Sequence, residues 1–526
     1  MNSSSSSVGA TPDAGPRTAI TGVFGGFGIF IAALVARFYQ IGAKPFWLDE
    51  VFTVQRSSLT VPGVIANSLR HHHIPSFFLI EHAVIALGAG SGTAALRAVP
   101  AVAGAITAVM VFAIAWKIGG RGAAVLAGLL MALAPLQVGF SQEARSYTMM
   151  MAFILLGLYG LIALAEGGDR AGLPLRQRKA PHAAWATYGL GTLAALWTLG
   201  DAIPWLIAAN VAMAAAIVPR ITDKRGFLRN WGIVQLGILV AAAPGYIAML
   251  QAVRDHVMRS FNWIPPLSLR AGWADAASLY GLRDATMVTM RLLPTAFAAL
   301  SALVFAFAIM GVWHLRRKPA ALTVLIIAFL GLPVTLSLIS LIHPVLLPRY
   351  LLWSAAPFFV LASFGIEALG RRVQNPVLAA AAVLLMLNLA PYYHTETKPR
   401  WDEAARLLAS RMALGDTLLV SDGAAPAMLA FERDRRDLGS VPWLSTVHVK
   451  RAAKVLAAGH RVFAVYGPAG QGREPSKSLF FAKVAALGGT AAPINAGKEI
   501  TIEQIDPGSV GVVACSDAEA ETPLCQ

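Results

Sequence analysis

The chain has 526 residues, of which 56% are apolar and only 13% charged, against roughly a quarter charged in soluble domains, and this deficit excludes an ordinary soluble enzyme. The formal net charge is +15, a surplus that would point to nucleic acid if it were spread over a soluble surface. From Arg400 onward 14 basic residues balance 14 acidic ones, so the whole excess lies among long apolar runs in the first 399 residues, where a membrane accounts for it and no nucleic-acid partner is expected.

In chain order, Ser3 to Ser7 reads as a disordered tail. Eleven nearly uncharged stretches follow, each suited to a helix crossing a hydrocarbon core of about 30 Å: 19–39, 98–116, 123–140, 148–164, 184–199, 202–218, 231–250, 294–313, 320–342, 351–369 and 376–391. Arg17 alone flanks the first, and no small-residue cleavage site follows it, so an uncleaved span is expected rather than a signal peptide. Alternate loops are basic: Lys117 and Arg121; Arg170, Arg176, Arg178 and Lys179; Arg220, Lys224, Arg225 and Arg229; Arg316, Arg317 and Lys318; Arg371 and Arg372. Basic residues flanking spans are retained on the cytoplasmic side. The opposite, outer side then receives 40–97, 251–291, the turns at Glu143, Asp201 and Arg349, and everything after Pro391. The stretch 74–90 is apolar but carries Glu81 and His82 at its middle, where an unpaired charge is expensive in a bilayer. It is expected to lie in the interface, and counting it as a span would put the later basic loops outside.

Past Pro391 the pattern changes to that of a small α/β domain, with a helix at 400–411, strands at 417–422 and 461–467, a helix at 478–487 and an extended run at 500–506. The expected division is a membrane domain over 1–397 and an outer domain over 398–526 with a frayed acidic tail. Tyr466-Gly467-Pro468-Ala469-Gly470 lacks the spacing of a dinucleotide loop. Cys515 and Cys525, the two cysteines, can pair in an oxidising compartment or remain free thiols.

Charges beside apolar spans are costly and usually serve a purpose, so the 14 acids before Arg400 are the place to look for chemistry. Asp49 and Glu50 adjoin in Phe46-Trp47-Leu48-Asp49-Glu50, just beyond the first span. Adjacent carboxylates can bind a divalent cation or take a proton from a hydroxyl; they can equally be a solvated loop pair, although Trp47 suggests an interface position. Ser141-Gln142-Glu143-Ala144-Arg145-Ser146-Tyr147 forms an outer turn in which Glu143 and Arg145 either cap helices or face a ligand. His343-Pro344 through Arg349-Tyr350 forms another. There Arg349 can hold a phosphate with paired donors or snorkel to lipid headgroups. His71, His72 and His73 are consecutive and do not converge as metal ligands do.

Taken together, Trp47-Leu48-Asp49-Glu50 with Thr53, His73-Ile74-Pro75-Ser76-Phe77-Phe78, Arg97-Ala98-Val99-Pro100, Gln142-Glu143-Ala144-Arg145-Ser146-Tyr147 and Arg349-Tyr350-Leu351-Leu352 with Pro357 resemble the ordered motifs of bacterial membrane glycosyltransferases of the GT-C class. The group similar to protein O-mannosyltransferases (glycosyltransferase family 39) and to the aminoarabinose transferase of lipid A is the one resembled. The resemblance covers about Phe46 to Pro357, and Lys398-Pro399-Arg400-Trp401 resembles the start of the outer domain in such proteins. It implies a polytopic α-helical GT-C fold of about eleven transmembrane helices, with interfacial helices in the first outer loop and a C-terminal α/β domain. The implied reaction moves a sugar from a polyprenyl-phosphate donor to a hydroxyl of a lipid, glycan or protein acceptor, at the periplasmic face of the bacterial plasma membrane. By the same resemblance Asp49 matches the acid that deprotonates the acceptor and Glu50 its companion. Arg145 and Arg349 fall where the donor phosphate binds, with Trp47, His73, Glu143, Tyr147, His343 and Tyr350 in support. The usual His-Pro-Pro is His73-Ile74-Pro75 here, which weakens the role of His73. Metal use varies within the class, so the resemblance leaves open a divalent ion on Asp49 and Glu50 and implies no other cofactor. A transporter or flippase of lipid-linked saccharides is the rival reading, together with a non-catalytic relative. A secondary transporter would show midplane charges and repeated halves, whereas the polar groups here gather at the outer ends.

Overall fold

The computed structural model describes residues 16–174, 181–252, 264, 266–283, 288–421, 425–445, 449–467, 477–485, 491–495 and 500–507. Ser3 to Ser7, Arg176, Arg178, Lys179, Cys515 and Cys525 lie outside the described residues. The chain enters through α1 (Pro16–Phe38) and then forms three short helices, α2 (Leu48–Ser57), α3 (Val61–Arg70) and α4 (Ser76–Val84), the last continuing as a π turn over Ile85–Ala89. The bundle proceeds with α5 (Thr93–Ile118), α6 (Arg121–Leu133), α7 (Pro135–Ser141), α8 (Tyr147–Gly167), α9 (His182–Thr198), α10 (Ile203–Ala212) and α11 (Lys224–Ala252). After the short α12 (Leu269–Leu279) and α13 (Val288–Leu292) come α14 (Pro294–Leu315), α15 (Pro319–Ser340), α16 (Ala355–Glu367) and α17 (Arg371–His394).

This is a multi-pass membrane protein. Among the described residues eight helices are long and apolar enough to cross a bilayer, or nine when α6 and α7, bent by 56°, count as one span. The break falls at Pro135, which has no amide hydrogen to continue the helix ladder. The two remaining expected spans are the 17-residue α9 and the 13-residue α16. All of α16 from Ala355 to Ile366 is buried, as expected of a helix apolar on every face. Gly311 of α14 and Gly365 of α16 let the two backbones touch, since a Cβ on either would collide with the main chain of the other helix. Such small-residue contacts are how helices associate where lipid removes the hydrophobic drive. Phe24, Leu236, Ile309 and Leu387 stay exposed along the outside of the bundle.

The basic loops meet at one end. Thr222 donates to Asp169 through its amide and hydroxyl at 2.6 and 3.0 Å, the Ala123 amide donates to Glu367 at 3.3 Å, and the Lys318 amine donates to the Ile118 carbonyl.

The 74–90 stretch forms α4 with its π turn, and its Glu81 is buried with both carboxylate oxygens lacking a hydrogen-bond partner. Burial alone pushes that carboxyl up to about 9, so it is protonated at neutral pH. The folded protein then holds a proton that the unfolded chain releases near pH 4.5, and stability must fall as the pH rises from about 4.5 to about 9. Glu81→Gln should abolish this part of the decline: the melting temperature of the purified variant should drop less than that of the wild type between pH 5 and pH 9. Parallel curves would rule out a buried neutral Glu81.

Beyond α17 come α18 (Trp401–Arg411), β1 (Thr417–Val420), α19 (Ala425–Asp434), β2 (Trp443–Ser445), α20 (Val449–Ala457), β3 (Val462–Tyr466), α21 (Lys477–Ala485), β4 (Ala491–Asn495) and β5 (Thr501–Ile505). The sheet order is β2-β1-β3-β5-β4. β1 runs parallel to β2 and β3, and β5 pairs antiparallel with β3 and β4. Successive side chains alternate between faces: Leu418, Val420, Phe463 and Val465 enter one core and Leu419, Val462 and Ala464 another. The first of these cores also takes Phe46, Leu48, Val51 and Val54, with Trp401, Leu408 and Met428. Helix α2 is therefore packed against the sheet domain as well as the bundle.

Candidate active site

The site is built around the first turn of α2. Glu50, fully buried, accepts the Trp47 backbone N–H at 3.2 Å and so caps its own helix. Its Oε1 also accepts from Arg97 Nε at 2.7 Å and the Ala144 amide at 2.9 Å, and its Oε2 from Arg97 Nη2 at 2.9 Å and Lys398 Nζ at 2.7 Å. Burial by itself would raise this carboxyl; the Lys398 and Arg97 charges and their hydrogen bonds overcome burial and hold it at about 2. Arg97 also donates to the Ile41, Lys44 and Pro45 carbonyls at 2.9 to 3.0 Å, so this one carboxylate ties together α2, the 41–45 segment, α5, the 142–146 turn and the connection to α18. Lys398 reaches Glu143 as well, at 3.7 Å. Glu143 is raised, by burial first, with Lys398 opposing and Glu50 reinforcing.

The 142–146 turn is fixed from below by Arg37 in the last turn of α1. Its guanidinium donates to the Ser141 hydroxyl at 3.0 Å and to the carbonyls of Ala132 and Met131 at 2.8 and 3.1 Å, which satisfies carbonyls left open where α6 ends. Gln142 in turn donates to the Arg37 and Tyr39 carbonyls at 2.9 and 2.8 Å.

Asp49 points elsewhere. Its carboxylate lies 3.6 Å from Arg349 Nη1, with the two side chains 26% and 14% exposed. Arg145 donates to the Asp49 main-chain carbonyl at 3.3 Å and stands against the Tyr147 ring at 5.7 Å. The Arg349 guanidinium stands 5.8 Å from the Trp47 ring and 5.4 Å from that of Tyr350. Burial alone would weaken the hold of both arginines on their protons, but it is outweighed at Arg145 by Tyr147 and Asp49 and at Arg349 by Tyr147, Tyr350 and Asp49. The structure thus brings Trp47, Asp49, Arg145, Tyr147, Arg349 and Tyr350 together, with Glu50 and Glu143 in the adjoining network. The His73 ring lies 5.6 Å from that of Phe78, and burial followed by the charge of Arg145 lowers its pKa well below the usual histidine range. His343 is half-buried past the end of α15, and no hydrogen bond or ion pair joins its side chain to this cluster among the described residues.

Five donors occupy Glu50 and Arg349 answers Asp49, and among the described residues no three His, Cys, Asp or Glu side chains form a metal-holding group.

Sequence reasoning missed two contributors. Lys398 was legible only as the head of the Lys398-Pro399-Arg400-Trp401 segment, and Arg37 sits among apolar residues with no motif to mark it. Asp201 was legible as an acid in a turn between apolar stretches, and it lies in the turn that precedes α10.

No protein-family profile and no curated protein sequence matches the chain. Solved structures do. ArnT from Cupriavidus metallidurans in the apo state superposes with a TM-score of 0.52 over 94% of this chain and 99% of its own, at 15% identity. The archaeal oligosaccharyltransferase AglB from Archaeoglobus fulgidus, in complex with an inhibitory peptide and a dolichol-phosphate, superposes with a TM-score of 0.53 over 86% and 70% of the two chains, at 11% identity. Both are GT-C glycosyltransferases, and a likeness spanning 94% of this chain and 99% of ArnT gives this chain the GT-C glycosyltransferase fold.

Proposed function

We propose that the protein transfers a sugar from a polyprenyl-phosphate donor to an acceptor hydroxyl at the outer face of the bacterial plasma membrane. The observation that carries this reading is the meeting of two guanidinium groups at Asp49, whose partly exposed carboxylate pairs with Arg349 and whose main-chain carbonyl accepts from Arg145, at the end of the bundle away from the basic loops. AglB, whose fold is shared, was solved with a dolichol-phosphate, which supports a lipid phosphate as ligand. In this reading 1–397 is the catalytic membrane domain and 398–526 the outer domain.

The chemistry follows from the charges. The acceptor oxygen forms a bond to the anomeric carbon while the bond from that carbon to the phosphate oxygen breaks, and the phosphate leaves with the electron pair. Arg145 and Arg349 stabilise that departing charge, and Asp49 takes the acceptor proton. With no donor bound, Arg349 pairs with Asp49; a phosphate that claims the guanidinium releases the carboxylate to act as base. Glu50, saturated by donors, holds α2 in place.

The test is an assay of purified protein with a panel of polyprenyl-phosphate sugars and varied acceptors. Transfer from one of them is expected, and Arg349→Ala should lose a charge-assisted contact worth roughly 1.5 to 3 kcal/mol, with Lys restoring only part of it for want of the planar fork. Transport of an intact lipid-linked sugar without bond cleavage would replace this reading. For orientation, cysteines placed at Arg220 and Ser440 should react with an impermeant thiol reagent in intact cells only at Ser440, and the reverse pattern would put the site in the cytoplasm.

A further inference from the structure

Arg56 closes α2, seven residues after Asp49 and hence two turns along the same face. It is 6% exposed. Its guanidinium lies 4.3 Å over the Phe78 ring and its Nε donates to Asn67 Oδ1 at 2.9 Å, but its Nη1 is buried with no acceptor. Arg145, 8% exposed, buries an equally unanswered Nε. After burial, the charge bearing on Arg56 is that of Arg145, of the same sign, and together they lower the Arg56 guanidinium to about 10. His73, whose ring lies 5.6 Å from that of Phe78, faces Arg145, Arg56, His71 and His72, none of them anionic. Glu81 follows Phe78 by one turn of α4, yet no cation bears on it, so it is not the missing counter-charge.

Two buried guanidinium groups that repel each other, each with an unused donor, lack an acceptor rather than a partner chain. Glu50 shows the contrast, since both of its carboxylate oxygens are matched by donors from Arg97, Lys398 and the backbone. We propose that Arg56, flanked by His73, forms a second anion-binding corner beside Arg145 and Arg349, and that it takes the second phosphate of a diphosphate-linked polyprenyl donor. The inference rests on the lipid-phosphate reading above and deepens it. The charge of Arg145 bears on Arg56, and the charges of Asp49 and Arg349 bear on Arg145, so Arg145 is electrostatically linked to both corners. Adjacent phosphates joined by one oxygen suit adjacent guanidinium groups, and planar forks are the usual choice for such oxygens.

The test measures binding of polyprenyl monophosphate and polyprenyl diphosphate to the purified full-length protein in nanodiscs. Wild type should bind the diphosphate at least about tenfold more tightly. Arg56→Gln should bring diphosphate binding down to the monophosphate level and leave monophosphate binding within about twofold, and Arg56→Lys should keep part of the preference. Arg349→Gln should weaken both lipids. Equal affinity of wild type for the two lipids, with Arg349→Gln still weakening both, would overturn the second corner and leave the lipid-phosphate reading standing. Binding of neither lipid by wild type would overturn both. Arg56→Gln that spares lipid binding but raises the KM for the acceptor would assign the corner to an anionic acceptor and overturn the diphosphate.

Discussion

Asp49→Asn should lower turnover by about 10² to 10⁴, the loss typical of removing a general base, while donor binding changes little. The amide keeps the size of the carboxylate and its place in the first turn of α2 but cannot accept the acceptor's proton. It also removes the charge paired with Arg349 at 3.6 Å, so the guanidinium is freer for phosphate and donor affinity should hold or rise. A fall in kcat with an unchanged or lower donor KM is therefore the signature, and it separates a lost base from a lost binding contact. Full activity of purified Asp49→Asn would remove the base assignment and direct attention to Glu143 and Asp201.

Glu50→Gln should instead destabilise the protein, by about 3 to 5 kcal/mol, the range for breaking a buried ion pair by removing one partner. Arg97 would remain buried beside a neutral amide, and Lys398 would keep only Glu143, 3.7 Å away. Since α2 and the connection to α18 both hang on this carboxylate, activity should fall with stability, and transfer measured well below the melting temperature should be affected far less than in Asp49→Asn. The double variant Glu50→Gln/Lys398→Met should recover part of the loss, because it removes an orphaned cation as well. The pH dependence has a definite sign: the folded carboxyl sits near 2 against 4.5 in the unfolded chain, so its stabilisation is complete above about pH 4.5 and disappears as the pH falls towards 2. A wild-type melting temperature for Glu50→Gln, measured at neutral pH by thermal unfolding in detergent, would contradict the role of Glu50 as the buried tie.

The membrane character and the location of each apolar helix were legible in the sequence. Those properties depend on composition over some twenty residues, and lipid leaves a segment few alternatives to helix. It also marked Asp49, Arg145 and Arg349, because charges at the ends of apolar helices are few. α18, β1, β3, α21 and β5 were legible from local periodicity. Tertiary structure alone decided the rest. β2 is three residues long and exists because Leu418, Leu419 and Val420 pair with it, and α19, α20 and β4 have too little pattern of their own to stand without that sheet. The difference between Asp49 and Glu50 was likewise invisible, since neighbours on a helix point about 100° apart and only the folded chain shows which one meets solvent and Arg349 and which is buried under Arg97 and Lys398. Lys398 lies 348 residues from Glu50, and no local signal could place them within hydrogen-bonding distance. That contact is made by packing of the C-terminal sheet domain on α2, a long-range burial of apolar surface whose partners the chain specifies only once it is folded.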